Sequence, residues 1–587
     1  MAAHTRAARL PRSATVVRAR GRRLLLAVCL AAALGVALAQ RPQGPIQDMA
    51  VEAVVVGDKG HAVTAGADNR LERFPVEVVG VLWEGGNGFP LVIVRAGGPF
   101  IEATGGVAAG MSGSPVYIAT ETGDALLGAI GYVFPRADHD LALVTPIAVM
   151  RQALPENARA GRVPATAFFP GLGPAEPVAT PVLMTGVSAR ALEFLEPLFK
   201  DASVRPFPVQ GGGTGPAPAA PNEPLVPGSP LAVALAWGDV SLQAVGTVTT
   251  VDDGALLAFG HPFLGLGDVD FPISPARIAA VVPSSEVPFK LANVGSAILG
   301  IIEQDRPGAV AGRLGVEPRS VRVELSLLGM GPSASYTFET AADDRLYPSI
   351  VGTGVLSLLD RYLGATSGGY AEVAWEILLA SGERVNVLEE ANDVADIANE
   401  AAVLALTPLA ILASNEFQES GVTQVSLAIR LDGRQRVATL EEAVAEEDVV
   451  KAGENALVHL RLQPYRQNAI VRTVSVPIPA DMDGELTLYL RGGDVARDTG
   501  DAHVDDKEVD RPRSFAELLD ALRQQVQANE LVVEVVTKDG DVLRLMRTPF
   551  AFVVAGNERV TLKVEAANGE APQADPAAPA EQEDAGD

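Results

Sequence analysis

The stretch Thr104-Gly105-Gly106-Val107-Ala108-Ala109-Gly110-Met111-Ser112-Gly113-Ser114-Pro115-Val116 is the most informative in the chain. Glycines at 110 and 113 flank Met111-Ser112, and glycine reaches backbone angles closed to residues that carry a Cβ. A turn of this kind holds a serine hydroxyl out and aims two backbone N–H groups at one point. There they can receive the negative oxygen that develops when a hydroxyl attacks a carbonyl. Strand-like runs surround it. Val51–Val56, Val76–Leu82 and Leu91–Val94 precede it, Ala125–Val133 follows, and Pro146–Leu154 reads as a short helix. With 58 glycines and 42 prolines, the composition favours many turns and few long helices. The fold expected is mainly β, and residues 40–161 form its serine-bearing half.

Residues 162–229 read as a connector, Pro/Gly-rich over 211–229 and unsuited to a regular element. A second β half spans 230–370 and contains the apolar strand Ala255–Phe259, which delivers His261 at a glycine turn. The remainder, 371–566, is expected to be a helix over Asp393–Ser414 followed by an Ig-like β-sandwich. That sandwich would include Val425–Leu431 and Ala456–Leu462, with turns at Asp432-Gly433 and Asp483-Gly484. Ser514 and Glu517 form a capping box that opens a helix over Phe515–Gln527. Residues 567–587, rich in Ala, Pro, Glu and Asp, read as a disordered tail.

The first 23 residues carry seven arginines and no acid. The apolar run Leu24–Leu38 follows, then Ala37-Leu38-Ala39. This is the layout of a signal peptide cleaved after Ala39, with an apolar core too short to span a bilayer. The expected location is the bacterial periplasm or extracellular space, with no stable membrane span after cleavage. The only cysteine, Cys29, lies in that run, so the mature chain has no disulfide, thiol nucleophile or cysteine-bound metal. A net charge of −27 argues against nucleic acid, whose phosphates are bound by clustered Lys and Arg.

A serine hydroxyl needs a base to take its proton, and histidine is the usual one. The mature chain offers His61, His139, His261, His459 and His503. His459 alternates within a distal strand and His503 sits in a charged loop. His61 and His139 lie on turns of the serine-bearing half. His261 is preferred because of the strand that delivers it, with His139 second. Asp252, Asp253, Asp268 and Asp270 flank His261, but turn aspartates are ordinarily structural, so the acid that would orient the histidine stays open.

Two motifs together carry a family resemblance. Residues 104–116 resemble the serine region of the stage IV sporulation signalling (SpoIVB) peptidases. Gly246-Thr247-Val248-Thr249 followed by Ala258-Phe259-Gly260-His261 resembles that family's histidine pattern. The resemblance covers two regions within residues 75–315. It implies a trypsin-like double β-barrel and a serine endopeptidase acting on exported or membrane-tethered proteins. It also implies Ser112 as nucleophile, His261 as general base, and the N–H groups of Gly110 and Ser112 as oxyanion donors. The chain departs from the family in three ways. Serine precedes histidine, which triad chemistry tolerates because geometry rather than chain order matters. Gly97 stands where the family has an acid before its serine, and no PDZ-like segment precedes the histidine motif.

The chemistry calls for a protein or peptide substrate and no metal or organic cofactor. No His-x-x-x-His or carboxylate–histidine spacing suggests a metal, and no phosphate-binding glycine fingerprint appears. The alternative reading is an inactive peptidase fold or β-sandwich envelope protein that serves as a binding scaffold.

Overall fold

A computed structural model describes residues 46–566 except 84–87, 135–136, 158–166, 170–172, 201, 203, 209–223, 285, 494, 497–511 and 538–539. The signal segment with Cys29, most of the 211–229 connector, His503 and the 567–587 tail lie outside the described residues. The protein is mainly β, with 52% strand against 16% helix, and contains two closed six-stranded β-barrels.

The first barrel consists of β1 (Lys59–Ala65), β2 (Leu71–Leu82), β3 (Leu91–Ala96), β4 (Pro115–Thr120), β5 (Gly123–Val133) and β6 (Leu141–Pro146). It closes because β4 pairs with both β1 and β5. An α-helix, α1 (Gly98–Thr104), interrupts the meander and leads straight into the serine loop. The second barrel consists of β7 (Pro230–Gly238), β8 (Ser241–Asp252), β9 (Ala255–Ala258), β10 (Gly267–Val282), β12 (Gly300–Arg306) and β13 (Ala309–Leu314). Here β7 closes the ring by pairing with β8 and β10, while β11 (Phe289–Val294) pairs with the outer end of β10. Inward positions are filled by Val, Leu, Ile, Ala and Phe, so each barrel is a packed core rather than a pore.

The second barrel's sheet continues through the strands Ala334–Ala341, Ser320–Leu328, Val422–Asp432, Gly369–Leu379 and Arg384–Asp393. Two helices, α2 (Tyr347–Leu363) and α3 (Ile397–Ala413), pack on each other and on this extension. A four-stranded and a five-stranded sheet, built from Val437 to Glu565, share a separate apolar core. Among the described residues no helix is long and apolar enough to cross a membrane.

Local expectations need correction at four places. Val51–Val56 is a short 3-10 turn, Val51–Ala53, rather than a strand. Only Val51 is buried, while Val55 and Val56 are 63% and 66% exposed, and the Asp58 carboxylate accepts the Val55 N–H at 2.8 Å. Val425–Leu431 belongs to the barrel-derived sheet, between Ser320–Leu328 and Gly369–Leu379, and not to the sandwich. The expected helix at 393–414 starts at Ile397, because 384–393 is a strand and Asp396 caps the helix. The helix opened by Ser514 does form, with the serine Oγ accepting the Glu517 N–H, but it ends at Arg523.

Candidate active site

The serine loop, residues 105–114, leaves the first barrel and lies against the second. Gly110 and Gly113 take left-handed angles, φ 88° and 90°. At Gly113 a Cβ would stand 2.0 Å from the Thr247 carbonyl oxygen, so only glycine lets the two barrels approach this closely. The loop is pinned peptide by peptide. Lys290 N–H donates to the Ala109 carbonyl at 3.0 Å, and Thr247 Oγ1 donates to the Gly110 carbonyl at 2.9 Å. Ser114 donates to the Met111 carbonyl through both its N–H and its Oγ. Thr247 N–H donates to the Ser112 carbonyl, and Thr249 Oγ1 to the Gly113 carbonyl at 2.7 Å. A trans peptide points its C=O and N–H in opposite directions. Fixing the Ala109 and Met111 carbonyls therefore fixes where the Gly110 and Ser112 N–H groups point. Neither N–H bonds to another backbone group among the described residues.

The Gly246-Thr247-Val248-Thr249 segment thus has a physical reason for its residue types. Successive side chains of a strand point to opposite faces, so Thr247 and Thr249 share one face, and both hydroxyls clamp the serine loop. Gly246 carries no side chain because the Phe259 ring lies where a Cβ would go, 2.2 Å away.

His261 follows two left-handed residues, Phe259 (φ 68°) and Gly260 (φ 71°). Positive φ is uncommon in a residue with a bulky side chain, and such conformations cluster at functional sites. Thr145 of the first barrel donates its hydroxyl to the Gly260 carbonyl at 2.6 Å, which ties the histidine turn to the serine-bearing barrel. The ring is fully buried between Tyr132 and Phe259. Its Nδ1 is 2.6 Å from the Pro262 carbonyl. A carbonyl only accepts, so Nδ1 carries the proton and Nε2 presents its lone pair. Burial pushes the imidazole down to about 4, with the Pro262 and Val178 carbonyls pulling the other way. The ring is neutral at pH 7.

Ser112 Oγ and His261 Nε2 are both buried and, among the described residues, both without a hydrogen-bond partner, so they do not bond to each other. A cavity of about 110 Å³ is lined in part by Val107, Phe134, His139, Pro177, Val287 and Pro288; neither Ser112 nor His261 lines it.

No acid orients His261 from the flanking turns. Asp252 pairs with Arg151, Asp268 with Arg306 and Asp270 with Arg319, and Asp253 sits in a turn at φ 49°. Gly97 precedes α1 as its N-cap. The Pro262 carbonyl takes the tautomer-fixing part of an acid's role but brings no negative charge. A buried acid does stand nearby: Asp305 accepts the N–H groups of Phe263, Leu264 and Leu266 at 2.7, 2.8 and 3.3 Å. It holds the loop after the histidine rather than the ring. Of the other histidines, His61 stacks on Tyr117 and bonds to Arg73, and His459 bonds to Thr473 on an exposed strand. His139 lines the cavity, and its carbonyl accepts the Val107 N–H.

Lys290 was not singled out by sequence reasoning. It is fully buried, and its Nζ donates to Thr64 Oγ1 at 2.7 Å and Thr247 Oγ1 at 3.3 Å. Burial alone lowers it to about 7. Asp305 and Thr145 were missed as well; their sequence signals are those of an ordinary turn and strand. Among the described residues no group of three His, Cys, Asp or Glu could hold a metal ion. A scan against protein-family models and a search of curated proteins both find no match.

Proposed function

We propose that the chain is an exported serine endopeptidase of the SpoIVB type, cleaving protein substrates in the cell envelope. Ser112 is the nucleophile and His261 the general base. One observation carries this reading. A glycine-framed serine loop is clamped onto the histidine-bearing barrel, with Ser112 Oγ and His261 Nε2 both buried and both lacking partners. Buried polar atoms are normally hydrogen-bonded, and exceptions ask for an explanation such as catalysis.

In acylation the Ser112 Oγ–carbon bond forms while the hydroxyl proton passes to Nε2. The scissile C–N bond then breaks as that proton moves to the leaving amine. Water repeats the sequence and releases the carboxylate product, so the enzyme returns unchanged. The Gly110 and Ser112 N–H groups receive the carbonyl oxygen as it becomes negative. No metal or organic cofactor enters these steps. Ser112 has no exposed surface, so a substrate reaches it only after local opening of the structure around it.

The same burial favours a second reading, a peptidase fold that binds a partner without cutting it. A fluorophosphonate probe separates the two. Oγ displaces fluoride from phosphorus as its proton goes to the base, leaving a covalent adduct. Under the peptidase reading the wild type labels, Ser112→Ala does not label at all, and His261→Gln slows labelling at least about 100-fold. A folded wild type that never labels would favour the binding scaffold.

A further inference from the structure

Lys290 is a lysine enclosed at the junction of the two barrels, and among the described residues no carboxylate pairs with it. The titratable groups on the elements packed round it are Lys59 and His61 on β1, Asp252 on β8, and Asp268, Asp270 and Arg277 on β10. None contributes to its ionisation, which burial alone shifts. A buried ammonium without a counter-ion is costly, and an apolar side chain of similar length would remove that cost. Its contacts point instead to the serine loop.

Its main-chain N–H holds the Ala109 carbonyl, the other end of the peptide whose N–H is that of Gly110. Its Nζ donates to Thr247 Oγ1. That oxygen donates its own proton to the Gly110 carbonyl, so the lysine fixes which way the threonine hydroxyl points. The second acceptor, Thr64 Oγ1, belongs to β1 of the serine-bearing barrel. The stem of the lysine fills the space beside Gly110, where a Cβ would lie 3.3 Å from its Cβ and Cδ. Lys290 thus grips both peptides that meet at Gly110 and braces them against both barrels.

We propose that Lys290 is a positioning residue for the oxyanion hole: its main-chain N–H sets the Ala109–Gly110 peptide whose N–H is the donor, and its Nζ, through Thr247, locks the following peptide so that the turn at Gly110 cannot relax. The inference rests on the serine-peptidase reading above. The lysine touches no reacting atom. It orients the donor that does.

The test compares fluorophosphonate labelling rates with thermal stability in the full mature chain. Lys290→Met removes the amine while keeping an unbranched apolar stem, and Thr247→Val removes the hydroxyl at constant shape. Both variants are expected to label about 100-fold more slowly, the loss typical of one oxyanion donor. Thr247→Ser, which restores the hydroxyl, is expected to label within a few-fold of wild type. The Lys290→Met/Thr247→Val pair should be no slower than either single change, because the two residues act in one chain. A folded Lys290→Met or Thr247→Val protein that labels at the wild-type rate overturns the proposal, as does a Thr247→Ser protein as slow as Thr247→Val. If Lys290→Met does not fold, the threonine pair decides alone. A wild type that never labels defeats the peptidase reading itself, and this inference with it.

Discussion

A Cβ at Gly113 would lie 2.0 Å from the Thr247 carbonyl oxygen and 2.4 Å from the Phe259 nitrogen, on a backbone with φ of 90°. Both obstacles are backbone atoms of the other barrel, so no side chain can swing aside to admit it. Gly113→Ala is expected to cost at least about 3 kcal/mol, from left-handed strain plus enforced separation of the barrels. Thermal unfolding followed by circular dichroism checks this, and a variant with wild-type stability would show that the barrels do not need this approach. The glycine was legible in the sequence because its left-handed turn is a local demand that repeats at Gly110, whereas the close approach of the other barrel was not. Lys290 was not legible, because Phe289-Lys290-Leu291-Ala292 reads as an ordinary strand with a lysine on its outer face. Only the second barrel's placement against Gly110 turns that face inward.

At the scale of elements, the site depends on how the turn after β9 is held. Asp305, at the end of β12, places two carboxylate oxygens against three backbone N–H groups of residues 263–266. Burial raises its pKa, while those N–H groups pull it down. Asp305→Asn replaces one acceptor oxygen with an N–H₂ that faces donors. The expected cost is about 1–3 kcal/mol, with faster hydrogen exchange at Phe263, Leu264 and Leu266 and slower labelling of Ser112. Unchanged exchange at those three amides would mean the loop is held by packing alone. Sequence spacing could not expose this contact, because 42 positions separate Asp305 from Phe263. The strand Val422–Asp432 teaches the same lesson. Its alternation of apolar and polar residues fits either a sandwich or a sheet extension, and only its pairing with Ser320–Leu328 and Gly369–Leu379 decides. The helix at Phe515 was legible because a cap is read within four residues.

For the molecule as a whole, the enclosed lysine couples barrel assembly to pH. In the unfolded chain Lys290 keeps its ordinary value of 10.5, and in the folded protein burial lowers it to about 7. Between those values the unfolded state binds more protons, so stability rises with pH there. Below about pH 7 both states are protonated, and the penalty for enclosing the charge is complete and constant. Above pH 10.5 both are neutral and the penalty is gone. Lys290→Met carries no such penalty at any pH. The variant should therefore be the more stable protein at pH 6 to 7, provided the lost hydrogen bonds cost less than the buried charge. Its advantage should then shrink by about 1.4 kcal/mol for each pH unit above 7. Other titrating groups are common to both proteins and cancel in the difference. Urea unfolding of the two at pH 6, 7, 8 and 9 measures it. A gap that stays constant from pH 7 to 9 would mean Lys290 keeps its charge in the folded state, with water or a counter-ion reaching it. The junction between the barrels would then be wetter than its burial indicates.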